Sequence, residues 1–510
     1  MSWNAGYITD VNYTFGYYSD FNPLRTDYAL TMAGFATPAL RNACELGFGQ
    51  GLSIAMHAAA QPGVQWWGND FNPAQAGLAQ ELAAQSGSGA RLYDQAFDQF
   101  CSRDDLTEFE FIALHGIWSW VSDENRAIIV DFVRRKLAVG GVLYISYNTL
   151  PGWSIMAPVR HLMKQHADQQ GGSGSRLGQR LGDAFSFLDE LLAVQPIYAQ
   201  AVPGIPGRID VLKTMDRNYL VHEYMNRDWR PMYFSEVAEH LHEAKLTFAG
   251  SAGLLEQQQA VNLTNEQIGL LQAQDDTVFR ETVRDFITAQ QFRRDLWLRG
   301  ARSLTSLEQA EALRAMRYLL TSPRGDVKLT MKGLQKEVTL HENVYAPILD
   351  FLADHQIKTF GQIEAVGAKV GINLAQVAVA MAILTGMGHV AVAQDDETIA
   401  KAKPVTDKLN MHLVQRSRSR SESAFLASPV TGGGVSVERL EQLLLAMRAQ
   451  GRKTPADWAQ SVHDLLAAQG QKLVVGGKTL ETPEENLAEL NNRAALLEKR
   501  LPILRSLGVA

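Results

Sequence analysis

The stretch that most constrains the fold is a glycine-rich turn, ELGFGQG, from Glu45 to Gly51. A short apolar run at residues 41–47 leads into it, and an Ala-rich run, GLSIAMHAAAQ at residues 51–61, follows it. The first run predicts a buried strand and the second predicts a helix. A glycine turn between a strand and a helix is where open α/β sheets bind nucleotide-like ligands.

Strand and helix patterns alternate through the first part of the chain. This alternation predicts βαβ units and a doubly wound, mostly parallel sheet, which is a Rossmann-like α/β fold. The predicted strands are residues 41–47, 64–70, 90–97, 109–116 and 142–148, and the predicted helices are residues 51–61, 72–87 and 122–141.

The order of residues in the turn decides among possible ligands. A triphosphate-binding loop has Lys followed by Ser or Thr after its last glycine, whereas Leu52 and Ser53 follow Gly51 here. The dinucleotide fingerprint is G-x-G-x-x-G, whereas this turn is G-x-G-x-G with Glu45 two residues before its first glycine. The resulting E-x-G-x-G-x-G pattern resembles the first motif of class I S-adenosylmethionine-dependent methyltransferases.

Each part of the pattern has a chemical role if S-adenosylmethionine is the cofactor. The glycines permit positive φ and close approach of the backbone, and Glu45 balances the ligand's ammonium charge. Asp70, at the end of the second strand, accepts hydrogen bonds from the ribose hydroxyls. A plain turn with a capping Asp is the alternative. The candidate cofactor-binding residues are Glu45, Gly47, Gly49, Gly51, Asp70, Phe71, Ala96, Phe97 and His115.

The third and fourth strand ends extend this prediction. Ala96 and Phe97 follow the third strand, where such enzymes hold adenine, and a simple surface turn is the equal alternative. His115 follows the fourth strand, at the edge where an open sheet places its site. It is a candidate general base for a hydroxyl acceptor, with a purely structural histidine as the alternative.

Aromatic residues supply the other candidates for the acceptor side of the site. Trp118 and Trp120 are predicted to form a wall of the cavity. The aromatic residues before the first strand are predicted to form a lid or an acceptor channel, with ordinary packing of an N-terminal arm as the alternative. They are Tyr13, Phe15, Tyr17, Tyr18 and Phe21. The candidate catalytic residues are therefore His115, Trp118, Tyr17 and Tyr18.

Composition excludes several classes of protein. The net charge of −7 gives no overall attraction to nucleic acid, and the short RSRSRSES run at residues 416–423 is typical of a solvated loop. Two cysteines, Cys44 and Cys101, are too few for a disulfide framework or a Cys-rich zinc site. The start of the chain lacks the features of a signal peptide, and no long apolar run occurs. We therefore expect a cytoplasmic protein without nucleic-acid partners, membrane insertion or a metal.

The later part of the chain is predicted to be mainly helical. His222, Glu223, His240 and His242 fit amphipathic helices better than a metal site. Residues 340–400 have the order helix, helix, helix and then HVAVA, which is typical of a winged-helix unit. Its third helix is apolar rather than basic, which favours protein contact over DNA reading.

Several stretches together resemble bacterial class I methyltransferases that carry a methyltransferase regulatory domain, including rickettsial-type lysine methyltransferases of outer-membrane proteins. They are ELGFGQG, GNDFNP, HGIWSWV, YISYNTLPGW, YLVHEYMNRDWRPMYFSEVAEHLHEAKLTFAGSA, FRRDLWLRG and LASPVTGGGVSV. The resemblance implies a methyltransferase domain with an N-terminal lid at residues 1–205, a regulatory domain at 206–300 and a C-terminal domain with a winged-helix-like module at 301–510.

The resemblance implies that the methyl acceptor is a protein lysine, without a metal and with a homodimer as one option. Two alternatives remain open at this point. One is O- or N-methylation of a surface glycan or a small molecule. The other is a non-catalytic protein that binds S-adenosylmethionine. A lysine acceptor must be neutral to attack, so an apolar aromatic channel would favour it.

Overall fold

A computed structural model describes residues 7–8, 15–169, 177–420 and 423–510. In this part of the chain a seven-stranded sheet has the order β3-β2-β1-β4-β5-β7-β6, and β7 runs antiparallel to both of its neighbours. The predicted Rossmann-like fold with a mostly parallel sheet is confirmed. The strands of this sheet are β1 (Asn42–Leu46), β2 (Gln65–Asp70), β3 (Arg91–Asp94), β4 (Phe109–Leu114), β5 (Leu137–Asn148), β6 (Leu246–Ser251) and β7 (Phe292–Arg299).

Helices pack on both faces of the sheet, and the strand order reverses between β1 and β4. Ligands bind beyond the carboxyl ends of the strands at such a reversal. Asn72 caps α3, because its side chain accepts a hydrogen bond from the Ala74 backbone N–H at 3.0 Å, and Pro73 occupies the first helical position. The first five helices are α1 (Pro23–Met32), α2 (Leu52–Ala60), α3 (Pro73–Ser86), α4 (Phe97–Cys101) and α5 (Asp123–Lys136).

The prediction for the junction of α5 and β5 was wrong. The helix ends at Lys136, and β5 begins at Leu137, five residues before the predicted strand. Leu137 pairs with Phe109 of β4, and the pairing then shifts register before the next partner. Gly140, with φ of 81°, lies in this irregular stretch. The Gly pair that was expected to end a helix therefore permits an irregular β pairing instead.

A group of helices follows β5 and has its own apolar core, which includes Trp153, Met163, Leu181 and Leu220. The sheet is then completed by β6 and β7, from a stretch that was expected to form a separate middle domain. The predicted boundary at residue 205 thus does not coincide with a break in the sheet. The helices between β5 and β7 are α6 (Leu150–Trp153), α7 (Ala157–Gln169), α8 (Leu177–Ala193), α9 (Ile197–Ala201), α10 (Ile205–Lys213), α11 (Arg217–Met225), α12 (Phe234–His242), α13 (Gln259–Asn262), α14 (Asn265–Gln272) and α15 (Thr277–Thr288).

The remaining residues form helices and small sheets. A three-stranded antiparallel sheet has the order β11-β8-β12, and it is accompanied by three helices. No helix in the described ranges is long and apolar enough to cross a membrane. These elements are α16 (Ser306–Ala315), β8 (Arg317–Leu320), β9 (Thr330–Lys332), β10 (Glu337–Thr339), α17 (Glu342–Phe351), β11 (Lys358–Thr359), α18 (Phe360–Ala368), α19 (Leu374–Gly386), β12 (Val390–Ala393), α20 (Asp396–Ser417), β13 (Phe425–Ser428), β14 (Gly433–Ser436), α21 (Arg439–Ala449), α22 (Pro455–Ala468), β15 (Val474–Val475), β16 (Lys478–Thr479) and α23 (Pro483–Ser506).

The hairpin of β13 and β14 packs against α2, the helix that follows the glycine turn. A Cβ atom on Gly434 would lie 2.6 Å from the Met56 sulfur and 2.6 Å from the Tyr17 ring. Only glycine permits this approach, which joins the C-terminal helices to the N-terminal segment in one apolar cluster. The hairpin therefore supports α2 from the side opposite the sheet.

Candidate active site

The glycine turn adopts the left-handed backbone that its sequence predicts. Gly47, Gly49 and Gly51 have φ of 68°, 58° and 75°. A Cβ atom on Gly51 would lie 2.3 Å from the Cβ of Ala79 in α3, so this glycine allows α3 to pack closely. A Cβ atom on Gly49 would have no atom within 4 Å. The turn thus combines one glycine required by packing with another that faces open space.

Two buried acids lie at the ends of neighbouring strands beside this turn. Glu45 is 4% exposed, and its Oε2 has no hydrogen-bond partner among the described residues. Asp70 accepts hydrogen bonds from the backbone N–H groups of Gly49 and Asn72, both at 2.9 Å. Burial raises the pKa of Glu45 well above its usual range and that of Asp70 to about 7. Both carboxylates are therefore costly to leave without a cationic or hydrogen-bonding ligand.

A cavity of about 540 Å³ opens beside the turn. Its lining includes four acids, Glu45, Asp70, Glu223 and Asp228, whereas no Lys or Arg among the described residues lines it. The sheet side contributes Gly47, Phe48, Gly49, Gln50, Gly51, Asn69, Phe71, Ala96, Phe97, His115 and Gly116. The N-terminal segment and the helices after β5 contribute Tyr7, Gly16, Tyr18, Trp153, Leu212, Met215, Tyr219, His222, Tyr224 and Asn226. The cavity is consequently anionic and rich in aromatic side chains.

His115 lies at the end of β4 and is fixed from two directions. Its Nδ1 lies 2.8 Å from the Tyr144 hydroxyl. The Tyr18 ring stacks on the imidazole, with the ring centroids 4.1 Å apart. Burial lowers the pKa of His115 to about 4, so the ring is neutral at neutral pH. In the tautomer whose Nδ1 donates to the Tyr144 hydroxyl, Nε2 can accept a proton or a hydrogen bond.

The structure brings most of the predicted site residues together. All nine candidate cofactor-binding residues line the cavity: Glu45, Gly47, Gly49, Gly51, Asp70, Phe71, Ala96, Phe97 and His115. Tyr18 and Trp120 also line it. Tyr13 lies outside the described residues.

Two of the candidate catalytic residues lie elsewhere. Trp118 is fully buried, its indole N–H donates to the Met232 sulfur at 3.4 Å, and its ring contacts His240. The expectation that it forms a cavity wall is corrected, because Trp120 takes that position.

Tyr17 is the second of these. Its hydroxyl lies 3.2 Å from His57 Nε2, and the residue packs between α2 and the β13–β14 hairpin. It is not among the described residues that line the cavity. Tyr17 therefore follows the alternative stated for this aromatic segment, which is ordinary packing.

The sequence reasoning missed the contribution of α11. Tyr219, His222, Glu223 and Tyr224 all line the cavity from this helix. We had interpreted His222 and Glu223 as residues of an amphipathic helix, but residues 220–225 are buried without interruption. The mostly apolar stretch YLVHEYM contains two ionisable side chains, and this pattern could have indicated a functional site. Ionisable groups are rarely buried unless they are paired or take part in function.

Tyr7 is a further residue that was missed. Its ring lies 5.7 Å from both Phe71 and His222, so it connects the sheet side of the cavity to α11. The backbone N–H of the next residue, Ile8, donates to Asn226 Oδ1 at 3.0 Å. The N-terminal segment therefore covers part of the cavity through Tyr7 as well as through the expected Tyr18.

Comparisons with known proteins agree with this geometry. Residues 216–299, which include α11, β6 and β7, match the sequence model of the family described as "Predicted methyltransferase regulatory domain". The whole chain is 39% identical to Uncharacterized protein sll1526 of Synechocystis sp., over the full length of both proteins. The chain belongs to the same family as sll1526, and it carries the methyltransferase regulatory domain. Uncharacterized protein RP789 of Rickettsia prowazekii is 27% identical over 55% of this methyltransferase and 50% of its own length.

The fold of the methyltransferase is also that of a solved relative. PKMT2 from Rickettsia typhi, solved in complex with AdoHcy, superposes with a TM-score of 0.69 at 19% identity, over 97% of this chain and 100% of that one. AdoHcy, the ligand of the PKMT2 structure, is the demethylated form of the expected cofactor, S-adenosylmethionine. The unpartnered Glu45 Oε2 and the open space at Gly49 fit its ammonium group and its close approach to the backbone.

Proposed function

We propose that the protein transfers methyl groups from S-adenosylmethionine to lysine side chains of polypeptides. The observation that carries this proposal is the acidic lining of the cavity: it has no Lys or Arg among the described residues, and it has Glu223 in addition to the two acids assigned to the cofactor and the one paired with Arg227. Such a cavity attracts cations and disfavours phosphate or carboxylate acceptors. Lysine is one of the cationic acceptors that a protein substrate presents, beside arginine and the α-amino group, and the resemblance to lysine methyltransferases favours it among them.

The cavity walls support the same choice of acceptor. Trp120, Trp153, Tyr219 and Tyr224 give it broad aromatic surfaces, over which an alkylammonium group is favourably placed. An apolar environment also lowers the pKa of an amine, which must lose its proton before it can attack. The resemblance to rickettsial lysine methyltransferases and the superposition on PKMT2 are in keeping with this proposal.

Within this proposal the chain's residues have distinct roles. Glu45 neutralises the ammonium group of the methionine part, Asp70 accepts from the ribose hydroxyls, and Gly49 allows the ligand to approach the backbone. When bound, the cofactor supplies an activated methyl group on a sulfonium. The protein's contribution is to align the acceptor with that group and to exclude water. The Tyr18 ring over His115 covers the end of β4 and serves this exclusion.

His115 favours one alternative function, O-methylation of a glycan or small molecule. A hydroxyl acceptor needs a general base, and His115 is neutral and fixed by the Tyr144 hydroxyl. The electrostatics favour the amine, because a hydroxyl acceptor gains nothing from the Glu223 carboxylate, the acid of the described lining that is neither assigned to the cofactor nor paired with Arg227.

Incubation with methyl-labelled S-adenosylmethionine and a cell-envelope extract tests these functions. The extract is then separated into protein, glycan and small-molecule fractions. We expect label in protein, and none with Asp70→Ala, whose cofactor binding should be lost. Label in glycan alone would remove the lysine proposal, and no transfer by the wild type would favour a non-catalytic binding protein.

We also propose winged-helix character for residues 342–393. Helices α17, α18 and α19 are followed by β12, which pairs antiparallel with β8. Helix α19 is almost entirely apolar, which favours contact with protein over nucleic acid. A homodimer and a cytoplasmic location remain proposals, and sedimentation of the purified protein tests the first.

A further inference from the structure

Glu223 is a buried acid of the cavity that is not assigned to the methyl donor. It lies in α11, is 9% exposed and lines the cavity. Glu45 and Asp70 lie at the strand ends, and Asp228 pairs with Arg227 at 2.7 Å. No ion pair within 4 Å involves Glu223 in the described part of the chain, so its carboxylate meets the cavity without a cationic partner.

The nearest cation is already committed to the backbone. Arg160 of α7 donates from Nε to the backbone carbonyl of Glu223 at 2.7 Å and from a terminal nitrogen to that of Asn226 at 3.2 Å. Its guanidinium stacks 4.3 Å from the Trp229 ring. Arg160 thus anchors the last turn of α11, where a cation is favoured. Arg160 therefore holds the Glu223 backbone, and its charge acts on the Glu223 carboxylate from beyond ion-pair distance.

Glu223 shares the cavity with several tyrosines. Tyr219 lies one turn before Glu223 on α11, and both residues line the cavity. Tyr18 also lines it and stacks on His115. Burial raises the pKa of Tyr219 to about 12, and the charge of Glu223 adds to this shift. A cation placed among these rings would meet a carboxylate and aromatic faces together.

We propose that Glu223 binds the ammonium group of the acceptor lysine and takes up its proton. This inference rests on the proposed lysine methyltransferase function. The ammonium gives one proton to the Glu223 carboxylate. The amine nitrogen then forms a bond to the donor methyl carbon as the carbon–sulfur bond breaks, and the bonding electron pair stays on sulfur. The product is a methylammonium cation, and Glu223 later releases its proton to water.

The test uses a probe that does not depend on the natural substrate. The dissociation constants of n-butylammonium and of neutral 1-butanol are measured at pH 8 on the full chain saturated with S-adenosylhomocysteine. The variants are Glu223→Gln and, as a matched control, Glu190→Gln on an exposed position of α8. Circular dichroism confirms that both variants are folded, and calorimetry measures their affinity for S-adenosylhomocysteine.

We expect the wild type and Glu190→Gln to prefer n-butylammonium over 1-butanol by more than about tenfold, because a buried charge pair forms. Glu223→Gln should lose that preference while its affinity for S-adenosylhomocysteine changes less than about threefold. The proposal is overturned if Glu223→Gln binds n-butylammonium like the wild type, if the wild type shows no preference, or if Glu223→Gln loses cofactor affinity by the same factor.

The same variants separate this inference from the proposed function. Equal formation of methyl-lysine in envelope protein by the wild type and Glu223→Gln would overturn the Glu223 assignment and leave the function intact. Labelling of glycan alone by the wild type would overturn the lysine function, whatever the binding of n-butylammonium shows.

Discussion

Replacing Gly49 or Gly51 with alanine should separate two functions of the glycine turn, which are close packing against α3 and close approach of the cofactor to the backbone. Both residues have positive φ, 58° and 75°. The left-handed backbone should therefore lower the unfolding free energy of each alanine variant by about 1–2 kcal/mol. The surroundings of the two added methyl groups differ completely. The comparison therefore isolates what each glycine provides beyond its backbone conformation.

At Gly51 the added methyl group would collide with α3. Its Cβ would lie 2.3 Å from Ala79 Cβ and 3.0 Å from Ala79 Cα, and neither atom can move without moving the helix. Overpacking of this kind costs about 1–3 kcal/mol. With the backbone strain included, Gly51→Ala should lose roughly 2–5 kcal/mol of unfolding free energy. Urea unfolding followed by circular dichroism measures this loss.

At Gly49 the added methyl group meets no atom within 4 Å and instead enters the cavity. The loss of unfolding free energy should therefore stay near 1–2 kcal/mol, from backbone strain alone. Affinity for S-adenosylhomocysteine, measured by calorimetry on the folded variant, should fall more than about tenfold because the ligand is displaced from the backbone. Unchanged affinity in Gly49→Ala would refute our account of how the cofactor approaches the turn.

Four further predictions concern two acids of the cavity, Asp70 and Glu223, and two buried residues outside its described lining, Tyr17 and Arg293. Tyr17→Phe removes a hydroxyl from His57 and should cost about 1 kcal/mol in urea unfolding, whereas a large loss of methyl transfer at unchanged stability would contradict its structural role. The raised pKa of Asp70, about 7, means that the folded protein holds a proton that the unfolded chain has lost, so stability of the ligand-free protein should fall by about 3 kcal/mol between pH 4 and 7. Glu223, whose pKa is also raised to about 7, should add to this decline, so Glu223→Gln should show a shallower pH profile and an unchanged profile would contradict its burial. Arg293→Met would strand three buried carboxylates and should cost about 3–5 kcal/mol in urea unfolding, with a loss below about 1 kcal/mol as the contradicting result.

The sequence was sufficient for the strands whose side chains are apolar and whose ends carry glycine or acid. It was insufficient for β7, FRRDLWLR, because this strand buries Arg293 and Asp295. Arg293 is neutralised there by Asp285 and Glu281 of α15, which lie eight and twelve residues earlier in the chain. No local sequence pattern predicts this buried ion cluster, since Arg293 and its acidic partners become neighbours only when the chain folds.

The parts of the site that depend on local sequence could be predicted, and the parts that depend on tertiary structure could not. The turn and the strand ends are local features, so Glu45 and Asp70 could be placed from their spacing. Trp118 and Trp120 could not be distinguished, because both lie in a short 3-10 helix whose residues point in different directions around its axis. Glu223 reaches the cavity from a helix about 170 residues after the turn, and only the tertiary structure brings the two together.

The central claim is that the acceptor of the methyl group is the side chain of lysine. The most direct measurement is amino-acid analysis of envelope protein that the wild type has labelled from methyl-labelled S-adenosylmethionine. After complete acid hydrolysis, we predict that the label co-elutes with Nε-methylated lysine and is absent from parallel reactions with Asp70→Ala. Label that co-elutes with any other methylated amino acid, or that remains with the carbohydrate, would contradict the account.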